Sequence, residues 1–314
     1  MTDIIVVTGG AGFIGSHVAA HFLSTGAQVR VVDNLSTGHR HNLDSMDGDL
    51  TLHEMSFTDA AALAPVFEGA RLVYHIGALP SVPRSIDNPL ESNYHNVEGT
   101  LNVLIAARDA KVDRVVYAAS SSAYGDVEAD YKVETMTPAP LSPYGVAKLA
   151  GEYYCQAFTA SYGLETVCTR FFNVFGPRQD PASHYAAVIP KFIRMLLDGE
   201  APTIFGDGSQ SRDFTFIDNV VHGLALAGTA PAAVGRSINV ATGGKITLIE
   251  LVDALNEMLG TDIAPTFLDS RPGDILHSRA DITRARELLG YEPKVTFVDG
   301  LARTVAWYRE RHMT

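Results

Sequence analysis

Tyr144 and Lys148 stand four apart in Pro143-Tyr144-Gly145-Val146-Ala147-Lys148, at the start of a helical pattern that runs to about Tyr162. Side chains at that spacing share one helix face, about 6 Å apart along the axis. An ammonium there favours phenolate over phenol, so the pair could accept a proton near neutral pH from a starting pKa of about 10. Isolated pairs of this kind are usually a surface tyrosine beside a solvated lysine, so the surroundings decide. The apolar run Arg114–Ala119 leads straight into Ser120-Ser121-Ser122-Ala123-Tyr124-Gly125. Hydroxyls at the end of such a run, opposite the tyrosine helix, could relay a proton between an alcohol and Tyr144. No Asp-Glu pair precedes Tyr124, so the loop lacks the acid and base needed to expel a hydroxyl from a neighbouring carbon.

The elements that must hold these groups begin at the other end of the chain. The apolar run Ile4-Ile5-Val6-Val7 is stopped by Thr8-Gly9-Gly10-Ala11-Gly12-Phe13-Ile14-Gly15. Apolar residues at Phe13, Ile14, Val18, Phe22 and Leu23 then follow helical spacing, which reads as strand, tight turn, helix. In a dinucleotide-binding turn Gly9 makes the bend, Gly12 admits a diphosphate to the backbone, and Gly15 lets helix pack on strand. The free N–H groups at the helix start face the phosphates. A second strand, Gln28–Val32, ends on Asp33, 18 residues beyond Gly15. An acid at about that distance takes the ribose hydroxyls and repels a 2′-phosphate, which favours NAD over NADP. Oxidised nicotinamide would bring a second positive charge to Tyr144.

Strand and helix patterns alternate through the first 170 residues: strands near Leu50–Glu54, Arg71–His75, Arg114–Ala119 and Glu165–Arg170, helices near Ala60–Phe67, Pro89–Ala110 and Pro143–Tyr162. Repeated βα units make a parallel sheet covered on both faces, with ligands beyond the carboxyl ends of the strands. The expectation is an α/β, Rossmann-type doubly wound parallel sheet over residues 1–173. Residues 174–314, broken by Pro177, Pro181, Gly206, Gly208, Pro231 and Pro272-Gly273, form mainly a smaller substrate-binding lobe interleaved with it. The net charge of −12 argues against nucleic acid or an anionic membrane as partner. No apolar run approaches the ~20 residues that span a bilayer, and no export leader is expected. Cys155 and Cys168 lie in apolar-periodic segments and read as buried free thiols in a reducing cytoplasm. His17 and His21 stand four apart but lack the glutamate and third ligand of a zinc site, so no metal is expected.

As a set, these motifs resemble the extended short-chain dehydrogenase/reductases, and within them the UDP-glucose (UDP-galactose) 4-epimerase family. The resemblance covers essentially the whole chain. It rests on the glycine turn with Asp33-Asn34-Leu35-Ser36, the serine loop, the Tyr144–Lys148 pair and Arg170-Phe171-Phe172-Asn173-Val174-Phe175-Gly176-Pro177. Phe205-Gly206-Asp207-Gly208-Ser209-Gln210-Ser211-Arg212-Asp213-Phe214 and Arg271-Pro272-Gly273-Asp274 complete it. It implies Tyr144 as catalytic acid and base, Lys148 on the nicotinamide ribose, and Ser120 as the catalytic hydroxyl with Ser121 and Ser122 beside the sugar. NAD would be held by Gly9, Gly12, Phe13, Ile14, Gly15, Asp33, Asn34, Ser36 and Gly38. Ser56, Phe57, Ile76, Gly77, Ala78, Asn96 and Phe171 would complete that pocket. A UDP-sugar would meet Asn173, Ala187, Val188, Phe205, Arg212, Arg271 and Asp274.

Three positions depart from the family pattern. Met55-Ser56-Phe57 replaces an acid at the adenine amine. Pro80 stands where some relatives place a lysine, with Arg84 as the alternative charge. Ser278 replaces a bulky tyrosine and leaves room for a 2-acetamido group. UDP-glucose and UDP-GlcNAc are therefore both expected substrates. The alternatives are a UDP-glucuronate 4-epimerase, with Arg178 on the carboxylate, and a nucleotide-sugar oxidoreductase or dehydratase. A nucleotide-binding scaffold without catalysis is the reading from another class. The resemblance also implies a homodimer through the helices near Pro89–Ala110 and Pro143–Tyr162.

Overall fold

The computed structural model describes residues 2–127, 129–181, 187–269 and 276–312. In chain order the first part gives β1 (Ile4–Thr8), α1 (Phe13–Ser24), β2 (Gln28–Asp33), β3 (Leu50–Glu54), α2 (Ala60–Phe67) and β4 (Leu72–His75). There follow α3 (Val82–Asp87), α4 (Pro89–Asn93), a π-helical turn Tyr94–Glu98, α5 (Gly99–Asp109), β5 (Arg114–Ser120), α6 (Pro143–Tyr162) and β6 (Glu165–Phe171). The second part holds β7 (Val174–Phe175), α7 (Val188–Leu197), β8 (Thr203–Phe205), β9 (Ser211–Arg212), β10 (Thr215–Phe216), α8 (Ile217–Ala227) and β11 (Arg236–Val240). It ends with β12 (Ile246–Thr247), α9 (Leu248–Leu259), β13 (Thr266–Leu268), β14 (His277–Ser278), α10 (Thr283–Leu289) and α11 (Phe297–His312).

Seven strands form one parallel sheet in the order β11-β6-β5-β4-β1-β2-β3, the doubly wound arrangement expected from the βα rhythm. The chain grows from β1 to β2 and β3, then returns to lay β4 on the other side of β1. That reversal opens a crevice at the carboxyl ends of β1 and β4, where such sheets take their ligands. Alternation sets the faces: Ile5, Val7, Val29 and Val31 point to one core, Val6, Val32, Val73 and Val115 to the other. Helices α2, α5 and α6 cover the second face, while α1 and α8 cover the first. Each fully buried side chain of this size contributes about 1.5–3 kcal/mol.

The second part of the chain does not stand apart. Phe175, Phe192, Phe214, Phe216, Leu251 and Val305 belong to the same buried cluster as Ile5 and Val7. Beyond residue 173 the chain also returns to supply α8 and β11, neither of which the apolar pattern announces. Their buried polar residues hide them. In β11, Ser237 donates to the Glu152 carboxylate at 2.7 Å and Asn239 accepts from the Tyr124 hydroxyl at 2.6 Å. In α8, Asn219 accepts from the Lys294 and Val295 N–H groups at 2.7 and 3.0 Å. The helix expected over Pro89–Ala110 is real but interrupted by the π turn. That turn carries Asn96 inward, where its amide spans both backbone groups of Leu79. No helix among the described residues is long and apolar enough to cross a membrane.

Candidate active site

The glycine turn lies at the crevice. Gly9 has φ +67°, and a Cβ on it would stand 2.6 Å from the Gly77 Cα at the end of β4. A Cβ on Gly15 would lie 2.0 Å from the Gly9 carbonyl oxygen, so helix and turn touch only because both residues lack one. Gly12 is the N-cap of α1 and offers no side chain to cap it, which leaves the first-turn N–H groups of Phe13 and Ile14 for a ligand anion. Asp33 closes the far side. Its Oδ2 accepts from Ala11 N–H at 2.9 Å and its Oδ1 from Leu35 N–H at 2.8 Å. Burial pushes this carboxyl up, and the N–H donors pull it back. Asn34, Ser36 and Gly38 wrap the same corner, where a Cβ on Gly38 would stand 2.9 Å from Asp33 Oδ2. These residues fit a dinucleotide: a close backbone approach, an uncapped helix start and an acid for a ribose.

Ser56 turns into α2 by bonding Thr58, and the Phe57 ring packs against Gly77, Gly99 and His75. Ile76, Gly77 and Ala78 follow β4 directly, and Phe171 pairs in register with Ser120. His17 Nε2 donates to the Pro177 carbonyl at 3.0 Å, and among the described residues no cluster of His, Cys, Asp or Glu could hold a metal ion.

The catalytic candidates meet at the carboxyl end of β5. Ser142 caps α6 by accepting from Gly145 N–H at 3.1 Å, and Pro143 occupies the first helical position. That start sets Tyr144 at the helix mouth, its ring partly exposed and its hydroxyl deep in the site against the Ser120 side chain. Ser120 Oγ also accepts from Ser122 Oγ at 2.8 Å and from Ser122 N–H at 3.1 Å, with Ser121 between them. Lys148 is buried, and its ammonium donates to the Ala118 carbonyl at 2.8 Å, 6.0 Å from the Tyr144 ring centre.

One expectation needs correcting. The protein alone does not acidify Tyr144: burial pushes the phenol up to about 12, and the Ser120 hydrogen bond only partly offsets it. The lysine itself is pushed down to about 8 by burial. A charge 6.0 Å from the ring, already bonded to a carbonyl, does not overcome desolvation.

A cavity of about 330 Å³ is lined by Asn173, Ala187, Val188, Phe205 and Arg212 from the expected set. Asn173 takes φ +35° as β6 hands over to β7, and its amide donates to the Asp213 carbonyl at 3.4 Å. Arg212 in β9 donates to the Leu276 carbonyl at 3.2 Å, and its strand pairs with Ser278 of β14. Arg84 is half-buried on α3, away from this cavity. Arg271 and Asp274 lie outside the described residues. The cavity adds Lys191, Thr203 and Gln210, which sequence reasoning missed. Lys191 was findable, one turn beyond Val188 on α7. Gln210 was quoted within a motif but given no part.

A parallel sheet with a phosphate-binding glycine turn and a Ser-Tyr-Lys cluster at its carboxyl edge defines an extended short-chain dehydrogenase/reductase. The chain belongs to the NAD dependent epimerase/dehydratase family, whose sequence model matches residues 5–241. It is 39% identical to the UDP-glucose 4-epimerase of Mycolicibacterium smegmatis over 98% of both chains. The UDP-glucose 4-epimerase of Thermotoga maritima, solved with UDP-glucose, superposes with a TM-score of 0.94 at 37% identity, covering 98% of this chain and 99% of that one. A UDP-N-acetylglucosamine 4-epimerase from Methanobrevibacter ruminantium, solved with UDP-N-acetylmuramic acid, also gives a TM-score of 0.94. That match is at 39% identity and covers 99% of this chain and 100% of the other.

Proposed function

We propose that this chain is an NAD-dependent isomerase that inverts carbon 4 of UDP-sugars through a transient 4-keto sugar. The observation that carries the reading is the meeting of Ser120, Tyr144 and Lys148 at the carboxyl end of β5, in the sheet whose first strand ends in the glycine turn. In this reading the first-turn N–H groups of α1 and Asp33 hold the dinucleotide, and Lys148 meets its nicotinamide ribose. Bound NAD supplies reversible hydride acceptance and a positive charge beside the phenol. Tyr144 takes the proton of the sugar 4-hydroxyl, with Ser120 bonded to it, and returns that proton after the keto sugar has turned over. A protein that only bound nucleotide would have no use for the Tyr144 hydroxyl bonded to Ser120.

The nucleotide end of the substrate belongs in the cavity, with Phe205 on the base, Arg212 and Asn173 on the diphosphate, and Lys191 at its rim. Ser278, in register with Arg212, leaves space for an acetamido group, so both UDP-glucose and UDP-GlcNAc are substrates in this reading. UDP-glucuronate is the alternative substrate, with Arg178, which donates to Ser16 Oγ on α1 at 3.4 Å, as the candidate partner for its carboxylate. Each UDP-sugar is incubated separately with enzyme and its 4-epimer read by NMR. Conversion of none of the three, with NAD bound, would overturn the proposal.

A homodimer completes the reading. Helices α3, α4 and α6 pack side by side and, with the π turn after α4, expose Ile86, Leu90, Tyr94, Val146 and Tyr153, an apolar face of the kind that marks an interface. A reducing compartment such as the cytoplasm suits the free, buried Cys155 and Cys168.

A further inference from the structure

Lys148 presents a problem of its own. Its ammonium lies in a nearly dry place, and the only hydrogen bond it makes among the described residues is to the Ala118 carbonyl at 2.8 Å. Glu152, one turn further along α6, is committed to Arg170, whose Nε and Nη2 reach its two carboxylate oxygens at 2.8 and 2.7 Å. One other group faces the ammonium closely. The Tyr117 ring centre is 4.9 Å from Lys148 Nζ, and the ring is wholly buried. The same tyrosine holds the other end of the residue, its hydroxyl donating to the Lys148 carbonyl at 3.4 Å. Helix α6 makes room for it: a Cβ on Gly151 would stand 2.3 Å from the Tyr117 hydroxyl oxygen. A glycine inside a helix is unfavourable to the helix itself, so its presence here is explained by the ring it admits.

We propose that Tyr117 is a positioning residue, its ring face and the Ala118 carbonyl together forming the socket that keeps the Lys148 ammonium charged and seated beside Tyr144. An aromatic face attracts a cation through its quadrupole, and more strongly once both are desolvated. The other titratable groups around the ammonium do not replace it. Tyr144 is a neutral phenol, Cys155 and Cys168 are buried thiols, and His75 of β4 is held neutral by burial with the lysine charge adding to the effect. Cys155, and at longer range Glu152 with the charge left over from Arg170, also favour the charged lysine. The inference rests on the epimerase reading only for what Lys148 does in turnover.

The test replaces the ring without changing its shape. Phenylalanine and phenylalanines bearing one, two and three ring fluorines are placed at position 117, alongside Tyr117→Leu. Cyanate carbamoylates only the neutral amine, so its rate at Lys148, followed by peptide mass spectrometry across pH, reports the lysine's protonation without any turnover. Tyr117→Phe keeps the face and should label as the parent does. The fluorinated series should label progressively faster at pH 7, reaching about fivefold at three fluorines or in Tyr117→Leu, as expected when an amine near 8 falls by about one pKa unit. The alkaline limb of kcat should move down by the same amount, with NAD content per chain unchanged. Equal labelling across the fluorinated series, which folds alike, overturns the proposal even where Tyr117→Leu fails to fold. Graded labelling with an unmoved kcat profile would support the socket and overturn the part given to Lys148 in turnover.

Discussion

At the scale of single residues the site is dominated by desolvation. Burial pushes the Tyr144 phenol up to about 12 and the Lys148 ammonium down to about 8, so a usable base has to come from charge that arrives with the cofactor. Tyr144→Phe removes the proton acceptor and leaves the nucleotide-binding turn untouched. Its kcat should fall by roughly 10²–10⁴-fold, while the NAD released on denaturation stays at the level of the parent protein. Two histidines carry a separate expectation. His75 is pushed down to about 3 by burial, bridging Thr8 and Thr100 hydroxyls at 2.7 and 3.0 Å. His17 is pushed down to about 4, chiefly by burial, with Arg178 adding to it and the Pro177 hydrogen bond opposing. Both stay neutral in the fold while the unfolded chain takes protons near 6.5. Below that pH the unfolded state binds more protons, so stability is lost on acidification, by about 1.4 kcal/mol per pH unit for each histidine. Melting temperature followed from about pH 8 to about pH 5 should be flat at first and then fall. A His17→Gln variant should show a shallower fall.

At the scale of elements, α6 is the member that the rest must place. Its buried Glu152 binds Arg170 of β6 with two hydrogen bonds and accepts from Ser237 of β11 at 2.7 Å. Removing one partner of such a pair strands the other charge, so Glu152→Ala should cost about 3–5 kcal/mol in urea unfolding, and should lower turnover by loosening Tyr144 and Lys148. How α6 was legible in sequence is instructive. Ser142-Pro143 fixes its start and Gly163, at φ +71°, its end, so local chemistry marks both boundaries, while the surroundings decide the reading of Tyr144 and Lys148. The glycine turn, Asp33 and the serine loop were legible for the same reason. What escaped reading depends on contacts between distant segments. Ser237, Asn239 and Asn219 look like loop residues until their buried partners are known, and Tyr117 is one more apolar position in a strand until the lysine above it is placed. Lys191 and Gln210 join the cavity only because α7 and the segment before β9 converge on it.

At the scale of the whole molecule, residues before and after position 173 share one core, and Asp213 ties the turn between β9 and β10 to the chain leaving β11. Its fully buried carboxylate accepts from Thr242 Oγ1 at 2.6 Å and from the Gly243 and Ala280 N–H groups at 2.8 and 3.2 Å. The exposed face of α3, α4 and α6 belongs to this scale too. The double variant Leu90→Asp, Tyr153→Asp places two charges on it, at positions 83% and 55% exposed in the single chain. It should sediment as a monomer where the parent sediments as a dimer, with its thermal transition shifted down. The route of the backbone has a last consequence. Because β11 is the outermost strand of a sheet begun at residue 4, and is threaded in only after β7 to β10 have been built, the nucleotide-holding part is not a cassette. A gene shortened at residue 173 would encode a sheet with β6 as a raw rim, its hydrogen-bonding groups bare and Arg170 and Glu152 stripped of the cover that Ser237 provides. Recombination could exchange the small lobe of such a protein only by carrying α8 and β11 along with it.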